Sequence, residues 1–359
     1  MSGRAQPASP GVRTAILKGG GELENLGDVM MRHQAEALIR RLGFTIAHRL
    51  GHGDLDSELP LEADSVDALF VLGSIQFSDA WPHPTLLERL ERAIRVHRHF
   101  GRARVVFRPA TWGAFRPEHA SALGELIENA TVLVRDRFSA DCINRLLGRA
   151  TARYCPDLAF GYPSADPELA RPLLERTLDD PERPLLGIVP NQRCVEPGVT
   201  PLAHPQAYVD ALARVRDHAI GRGFNVVGIS HMLHTERDLA LLRELGIVTV
   251  PAEDPAAVRS VVANLTLCVC SRYHGVISCL SHAIPVLALG WHHKYANLMH
   301  DMALDDYHVS VASLPQDLSP VIDALERHHE ELRQTLARKV SAARDLIQQQ
   351  TSALTAALC

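Results

Sequence analysis

Reactive side chains are concentrated in Ser271-Arg-Tyr-His-Gly275. An arginine and a histidine flank one tyrosine, ahead of an apolar stretch at 276–282. That order reads as a polar elbow between a strand and a short helix. On an extended elbow alternate side chains share a side, so Arg272 and His274 are expected to point the same way. The helix start behind them adds unpaired backbone N–H groups and the positive end of a dipole. Together they suit a phosphate or a carboxylate. A second elbow follows the next apolar run, at Gly290-Trp-His-His-Lys-Tyr295, and brings Lys294 as a neighbouring cation. In Val134-Arg-Asp-Arg-Phe-Ser139, Arg135 stands at a strand tip. Its planar fork can clamp an anion, or pair locally with Asp136. Pro190-Asn-Gln-Arg193, Ser230-His231 and His234-Thr-Glu-Arg-Asp238 end further strands with less concentrated polar groups. Ser278 and His282, one and two helical turns beyond His274, read as packing residues.

Near the start lies Lys18-Gly-Gly-Gly-Glu-Leu-Glu-Asn-Leu-Gly-Asp28. Glycines allow tight turning and close backbone approach. Asn25 or Asp28 can cap the helix that follows; alternatively the loop faces a ligand. It fits neither the dinucleotide glycine pattern nor the P-loop lysine pattern.

Strand ends need strands. The 359 residues suggest about two domains. Strands are expected at 14–18, 44–47, 68–72, 104–107 and 131–134, then at 185–189, 225–229, 248–251, 265–270 and 286–289. Amphipathic helices are expected at 28–42, 84–99, 117–129 and 139–147, then at 205–222, 235–245, 255–263, 276–282 and, broken, 314–358. Such alternation marks α/β domains with parallel sheets. Pro-rich runs begin at Tyr162 and Asp180. The expected organisation is a tail at 1–12, a Rossmann-like domain at 13–165, a linker at 166–184, a second Rossmann-like domain at 185–335, and a terminal helix at 336–359 that is free to cross back. Two such doubly wound domains should face a cleft, with ligands beyond the carboxyl ends of strands.

Composition narrows the function classes. Lys and Arg number 37 against 42 Asp and Glu, a balance unlike that of a dedicated nucleic-acid binder. No apolar run is long enough for a membrane span, and the first twelve residues lack the apolar core of a secretory signal. Seven cysteines with no Cys-x-x-Cys pair fit a reducing cytoplasm. The pairs His292-His293 and His328-His329 do not share a helix face, so no metal site is expected. Nineteen histidines are the oddity. His33, His97 and His328 read as incidental helix-surface positions. Trp81 and Trp112, in the loops at 77–84 and 111–117, can stack on a sugar or pack internally.

Taken together these motifs resemble the polysaccharide pyruvyl transferase family. The likeness runs from Lys18 to about Met299. It is carried by Gly-Gly-Gly with Asn25-Leu-Gly-Asp28, Val134-Arg-Asp-Arg-Phe-Ser139, Cys155-Pro-Asp-Leu-Ala-Phe160, Gly187-Ile-Val-Pro-Asn191, and Ser271-Arg-Tyr-His-Gly275 leading to Ile284-Pro-Val and His293-Lys-Tyr295. Leu72-Gly-Ser-Ile75 departs from the pattern, where members carry more glycine. The resemblance implies a GT-B-like pair of Rossmann-type domains. It implies phosphoenolpyruvate as co-substrate and a sugar, glycan or lipid-linked hydroxyl pair as acceptor. A pyruvate ketal and phosphate would be the products, and no cofactor is implied. On it, His274 is the general acid/base and Asp28 the base for a hydroxyl. Arg272, Arg135 and Lys294 bind the donor. Asn25, Ser271, Tyr273, Gly275, Asn191 and His293 join them as substrate-binding residues. An oligomer is compatible with this reading. Two alternatives stand beside it: a glycosyltransferase using a nucleotide sugar, with Glu253 or Asp254 near a ribose, and a non-catalytic binder of anionic sugars.

Overall fold

The computed structural model describes residues 13–19, 25–51, 65–73, 75–78, 84–196, 205–232, 236–251 and 254–358. The tail at 1–12, the glycines at 20–21, Trp81, His234, Glu253 and Cys359 lie outside them. Contacts divide the chain into two units. The first comprises Met1–Glu22, Met30–Gly161 and Arg344–Cys359, and the second Leu23–Val29 and Tyr162–Ala343. The second therefore includes the Asn25–Asp28 turn, and the first includes the end of the last helix.

The first unit carries β1 (Arg13–Lys18), most of α1 (Leu26–Arg41), β2 (Phe44–Leu50), β3 (Ala68–Val71), α2 (Leu86–His99), β4 (Arg104–Ala110), α3 (Ala120–Ile127), β5 (Ala130–Val134), α4 (Arg137–Leu147) and β6 (Ala152–Tyr154). Its strands form one parallel sheet in the order β2-β1-β3-β4-β5-β6. Apolar runs such as Ala-Leu-Phe-Val in β3 are buried throughout, as strands covered on both faces must be. Local signals set the helix ends. Thr85 and Glu88 form a reciprocal capping box before α2. Asp136 caps α4, which stops at left-handed Gly148. One sheet face packs on α1, and Leu354 and Leu358 from the chain's end join the same apolar cluster.

The second unit carries α5 (Arg171–Thr177), β7 (Leu185–Val189), α6 (Gln206–Gly221), β8 (Asn225–Gly228), α7 (Arg237–Glu244), β9 (Val248–Thr249), α8 (Pro255–Ala263), β10 (Leu267–Cys270), α9 (Tyr273–Ser281), β11 (Val286–Gly290), α10 (His293–Asp301), β12 (His308–Ser310), α11 (Ser319–Arg327) and α12 (His329–Leu358), whose last part lies in the first unit. Its sheet runs β12-β11-β10-β7-β8-β9, again parallel. The chain starts at β7, builds outward to β9, then returns to β10 on the other side. That reversal between β7 and β10 is where open α/β sheets bind ligands.

Both sheets and their flanking helices are therefore Rossmann-like, as expected. Several short elements had no sequence signature. The edge strands β6 and β12 span three residues each, too few to show a period. Helix α5 lies inside the expected linker, and α10 begins within the second polar elbow. Trp112 is fully buried, edge-on to Phe77 and Phe107 at 4.7 and 5.0 Å, so it is core and presents no face to a sugar. No helix among the described residues is long and apolar enough to cross a membrane.

Candidate functional site

The elbow after β10 differs from its expected shape. Arg272 is extended, at φ −103° and ψ 124°, but α9 already begins at Tyr273. The Val276 N–H donates to the Arg272 carbonyl at 2.9 Å and closes the first turn. His274 therefore sits inside the helix, and the alternation that would align it with Arg272 stops one residue early. Gly275 permits this tight start: a Cβ there would lie 2.6 Å from Cys270 Sγ and 3.3 Å from His231 Cδ2.

A buried network holds the elbow. The Ser271 carbonyl accepts from Asn191 Nδ2 at 2.9 Å and from the Tyr295 hydroxyl at 2.8 Å. Tyr208 donates its hydroxyl to Ser271 Oγ at 2.7 Å and accepts from the Asn191 N–H. Asn191 Oδ1 accepts from the Arg193 N–H. These bonds cross the β7–β10 reversal. Burial raises both tyrosines well above the ordinary phenol range, so they remain protonated donors. The polar atoms of Ser271 and Asn191 are thus engaged within the protein; both expected ligands position the elbow.

Arg272 is held likewise. Its Nε and Nη2 donate to Asp238, at 2.8 and 2.5 Å. Asp238, fully buried in the first turn of α7, also accepts from the Gln192 N–H. Burial weakens the guanidinium's hold on its proton, but Asp238 more than offsets this and leaves Arg272 above its ordinary value. Two nitrogens of the fork are thus engaged by Asp238, and Nη1 makes no hydrogen bond among the described residues. Asp238 was visible only as one polar residue in a strand-end run, and Tyr208 sits in the first turn of α6 with no signal at all.

His274 is 5% exposed. Tyr273 meets its ring edge-on at 5.4 Å. The Asn25–Asp28 turn lies against it: a Cβ on Gly27 would fall 1.8 Å from His274 Nδ1. Only glycine allows that approach. Asn25 shapes the turn, its Oδ1 accepting from the Gly27 N–H at 3.0 Å and its carbonyl from the Val29 N–H. Asn25 is thus a helix cap, while Asp28 is a buried carboxylate in the first turn of α1. The Leu26 N–H donates to the His231 carbonyl at 3.2 Å, and Asn25 bridges Met232. His231 is 1% exposed, and neither ring nitrogen has a hydrogen-bond partner among the described residues. Burial, helped by His274 and Arg272, pushes its imidazole down to about 3, so it stays neutral.

Lys294 lies in the first turn of α10. Its Nζ stands 5.1 Å from the Tyr273 ring and 5.4 Å from those of Trp291 and Tyr295, within cation–π reach. His292 caps this helix, Nδ1 accepting from the Lys294 N–H at 3.2 Å. His293 follows, its ring 4.0 Å from that of His292. Asp254 caps α8, its Oδ1 accepting from the Ala256 and Ala257 N–H groups.

The second unit thus gathers the Asn25–Asp28 turn, Arg272, His274 and the aromatic-ringed Lys294. Arg135 belongs to the first unit. Its Nη1 meets Asp157 at 2.9 Å and its Nε donates to Thr111, all fully buried. Asp136 accepts from the Thr111 hydroxyl and the Ser139 N–H.

The family profile of the polysaccharide pyruvyl transferases matches residues 25–293. The chain belongs to that family. No curated protein sequence matches it. Solved structures resemble it in fold alone. A UDP-forming α,α-trehalose-phosphate synthase from Burkholderia vietnamiensis is 10% identical, covers 96% of this chain and 99% of its own, and superposes with a TM-score of 0.51. A Listeria monocytogenes protein assigned as a UDP-N-acetylglucosamine 2-epimerase gives 0.54 at 12% identity over 90% of each chain. The spinosyn forosaminyltransferase SpnP gives 0.50 at 11% identity, over 96% of this chain and all of its own. Such neighbours are built, like this transferase-family member, from paired Rossmann-like domains. The family match spans the Asn25–Asp28 turn at one end and His293 at the other, both in the second unit.

Proposed function

We propose that this protein transfers the enolpyruvyl group of phosphoenolpyruvate to a pair of sugar hydroxyls, forming a pyruvate ketal and releasing phosphate. The observation that carries the reading is the apposition of Gly27 and His274. Two motifs nearly 250 residues apart are packed so closely that only a glycine fits. Asp28, the next residue, is a buried carboxylate. The reaction needs a proton delivered to the donor's methylene carbon, and a positioned histidine supplies such a transfer with about 10²–10⁴-fold effect. The neighbouring carbon then takes one hydroxyl oxygen. Its bond to the phosphate oxygen breaks, and the second hydroxyl closes the ketal. One hydroxyl proton replaces the one given to the methylene, and the other leaves with phosphate.

In this mechanism His274 is the proton donor and Asp28 receives a hydroxyl proton. The Arg272 Nη1, the first-turn N–H groups of α9 and the Lys294 ammonium face the donor's negative charge. Asp238, Tyr208, Asn191 and Ser271 fix the elbow, and Arg135, buried in the first unit against Asp157 and Thr111, is given no part in the donor site. The test is phosphate release from phosphoenolpyruvate by wild type, His274→Ala and Asp28→Asn. Loss in both variants, with circular dichroism unchanged, is expected; wild-type turnover in His274→Ala would sink the assignment.

A further inference from the structure

The first unit holds a buried cation that this mechanism does not use. Arg108, at the carboxyl end of the central strand β4, is 2% exposed. Its Nε and Nη1 are sealed from solvent and make no hydrogen bond among the described residues. Among the described residues, the buried carboxylates of the unit are already matched. Asp157 holds Arg135 and the Ala159 N–H. Asp136 holds Thr111 and the Ser139 N–H, and Glu36 holds Arg40 and Arg49. The Cys155 thiol is pushed up to about 11 by burial, so it supplies no negative charge to Arg108.

An arginine cannot escape by losing its proton. A lysine or histidine so placed would become neutral; a guanidinium stays charged and requires an anion or a costly desolvation. Register adds a second observation. Phe107 is level with Val71, and Val71 with Lys18, so Arg108 lies one residue beyond the level at which Lys18 ends β1, towards the carboxyl edge of the same sheet. Ligands of parallel sheets bind at that edge, and Arg135 ends β5 there as well.

We propose that Arg108 receives an oxyanion, a phosphate or carboxylate, so that the first unit has an anion subsite of its own. Its planar fork suits both groups. Binding is independent of the transferase reading. Only the ownership of the anion rests on it: a phosphate borne by the sugar acceptor, or a charged end of the donor.

Isothermal titration of the full chain tests this, with inorganic phosphate, phosphoenolpyruvate and glucose 1-phosphate against wild type, Arg108→Met and Arg108→Lys. We expect Arg108→Met to lose at least tenfold in affinity for one or more of the three, and Arg108→Lys to lose less. A loss confined to glucose 1-phosphate places the acceptor there, and one confined to phosphoenolpyruvate places the donor. Without ligand, Arg108→Met should melt no lower than wild type, since it removes an unmatched buried charge. Should Arg108→Met not fold, Arg108→Gln carries the same comparison. Affinities unchanged within twofold, or a wild type that binds none of the three, overturn the inference. Phosphate release from phosphoenolpyruvate, measured on the same proteins with a panel of sugar, glycan and lipid-linked acceptors, keeps the two readings apart: Arg108-dependent binding with no turnover on any acceptor upholds the subsite and sinks the transferase.

Discussion

Replacing Gly27 with alanine gives the sharpest test of how the site is built. The added methyl would stand 1.8 Å from His274 Nδ1, 2.0 Å from its Cγ and 2.5 Å from its Cβ. Non-bonded carbon contacts settle at about 3.5–4.0 Å. The imidazole or the turn must therefore retreat by well over ~1 Å. A displacement of about 1 Å at a reacting group costs on the order of 10²-fold in rate. Gly27→Ala should lower phosphate release from phosphoenolpyruvate by about that factor. Strain of this kind is worth about 1–3 kcal/mol of stability, so the melting temperature should fall by a few degrees while the protein remains folded. A double-mutant cycle separates the effects. If the methyl acts through the imidazole, Gly27→Ala combined with His274→Ala should be no slower than His274→Ala alone. Gly27→Ala turning over within threefold of wild type would refute the apposition, as would full additivity in the cycle.

Asp238→Asn removes the charge that holds the Arg272 fork; phosphate release should drop at least tenfold, with a raised KM for phosphoenolpyruvate, and an unchanged KM would contradict the role given to Arg272. Asp157→Ala removes the buried carboxylate that meets Arg135 Nη1 and should cost about 3–5 kcal/mol, read as a lower urea midpoint; a loss under about 1 kcal/mol would contradict the pair. His231 is held down to about 3 from an ordinary 6.5. The folded state thus favours the neutral ring. Its contribution is complete above pH 6.5 and is lost as pH falls towards 3, at about 1.4 kcal/mol per unit. The urea midpoint should fall less between pH 6.5 and pH 4.5 in His231→Gln than in wild type; identical acid dependence in the two proteins would rule this out.

Much of the fold was legible because its strands are apolar runs separated by amphipathic helices, a pattern set by burial on both sheet faces. The elements that escaped, β6, β12 and α10, are short or begin with polar residues, and tertiary packing rather than period defines them. The candidate residues were legible where a polar run follows a strand, as at His274 and Lys294, which the structure places in the first turns of α9 and α10. The site was not legible where two distant segments meet. Nothing in the sequence pairs Gly27 with His274, or Asp238 with Arg272. Those pairings arise from the β7–β10 reversal and from the inclusion of Leu23–Val29 in the second unit. Polar residues that looked like ligands, Ser271 and Asn191, bond to each other because a buried elbow must satisfy its own carbonyls. His97 shows the reverse case. It reads as a surface histidine, yet it packs 5.3 Å from Phe107 and burial takes it down to about 4.

The central claim is the donor and the bond it forms. Wild type incubated with phosphoenolpyruvate and a panel of sugar, glycan and lipid-linked acceptors should release phosphate only when a competent acceptor is present. Mass spectrometry should then find that acceptor carrying a pyruvate ketal, and His274→Ala should yield neither product. Transfer of a sugar from a nucleotide donor, with no phosphate released from phosphoenolpyruvate on any acceptor, would contradict the account.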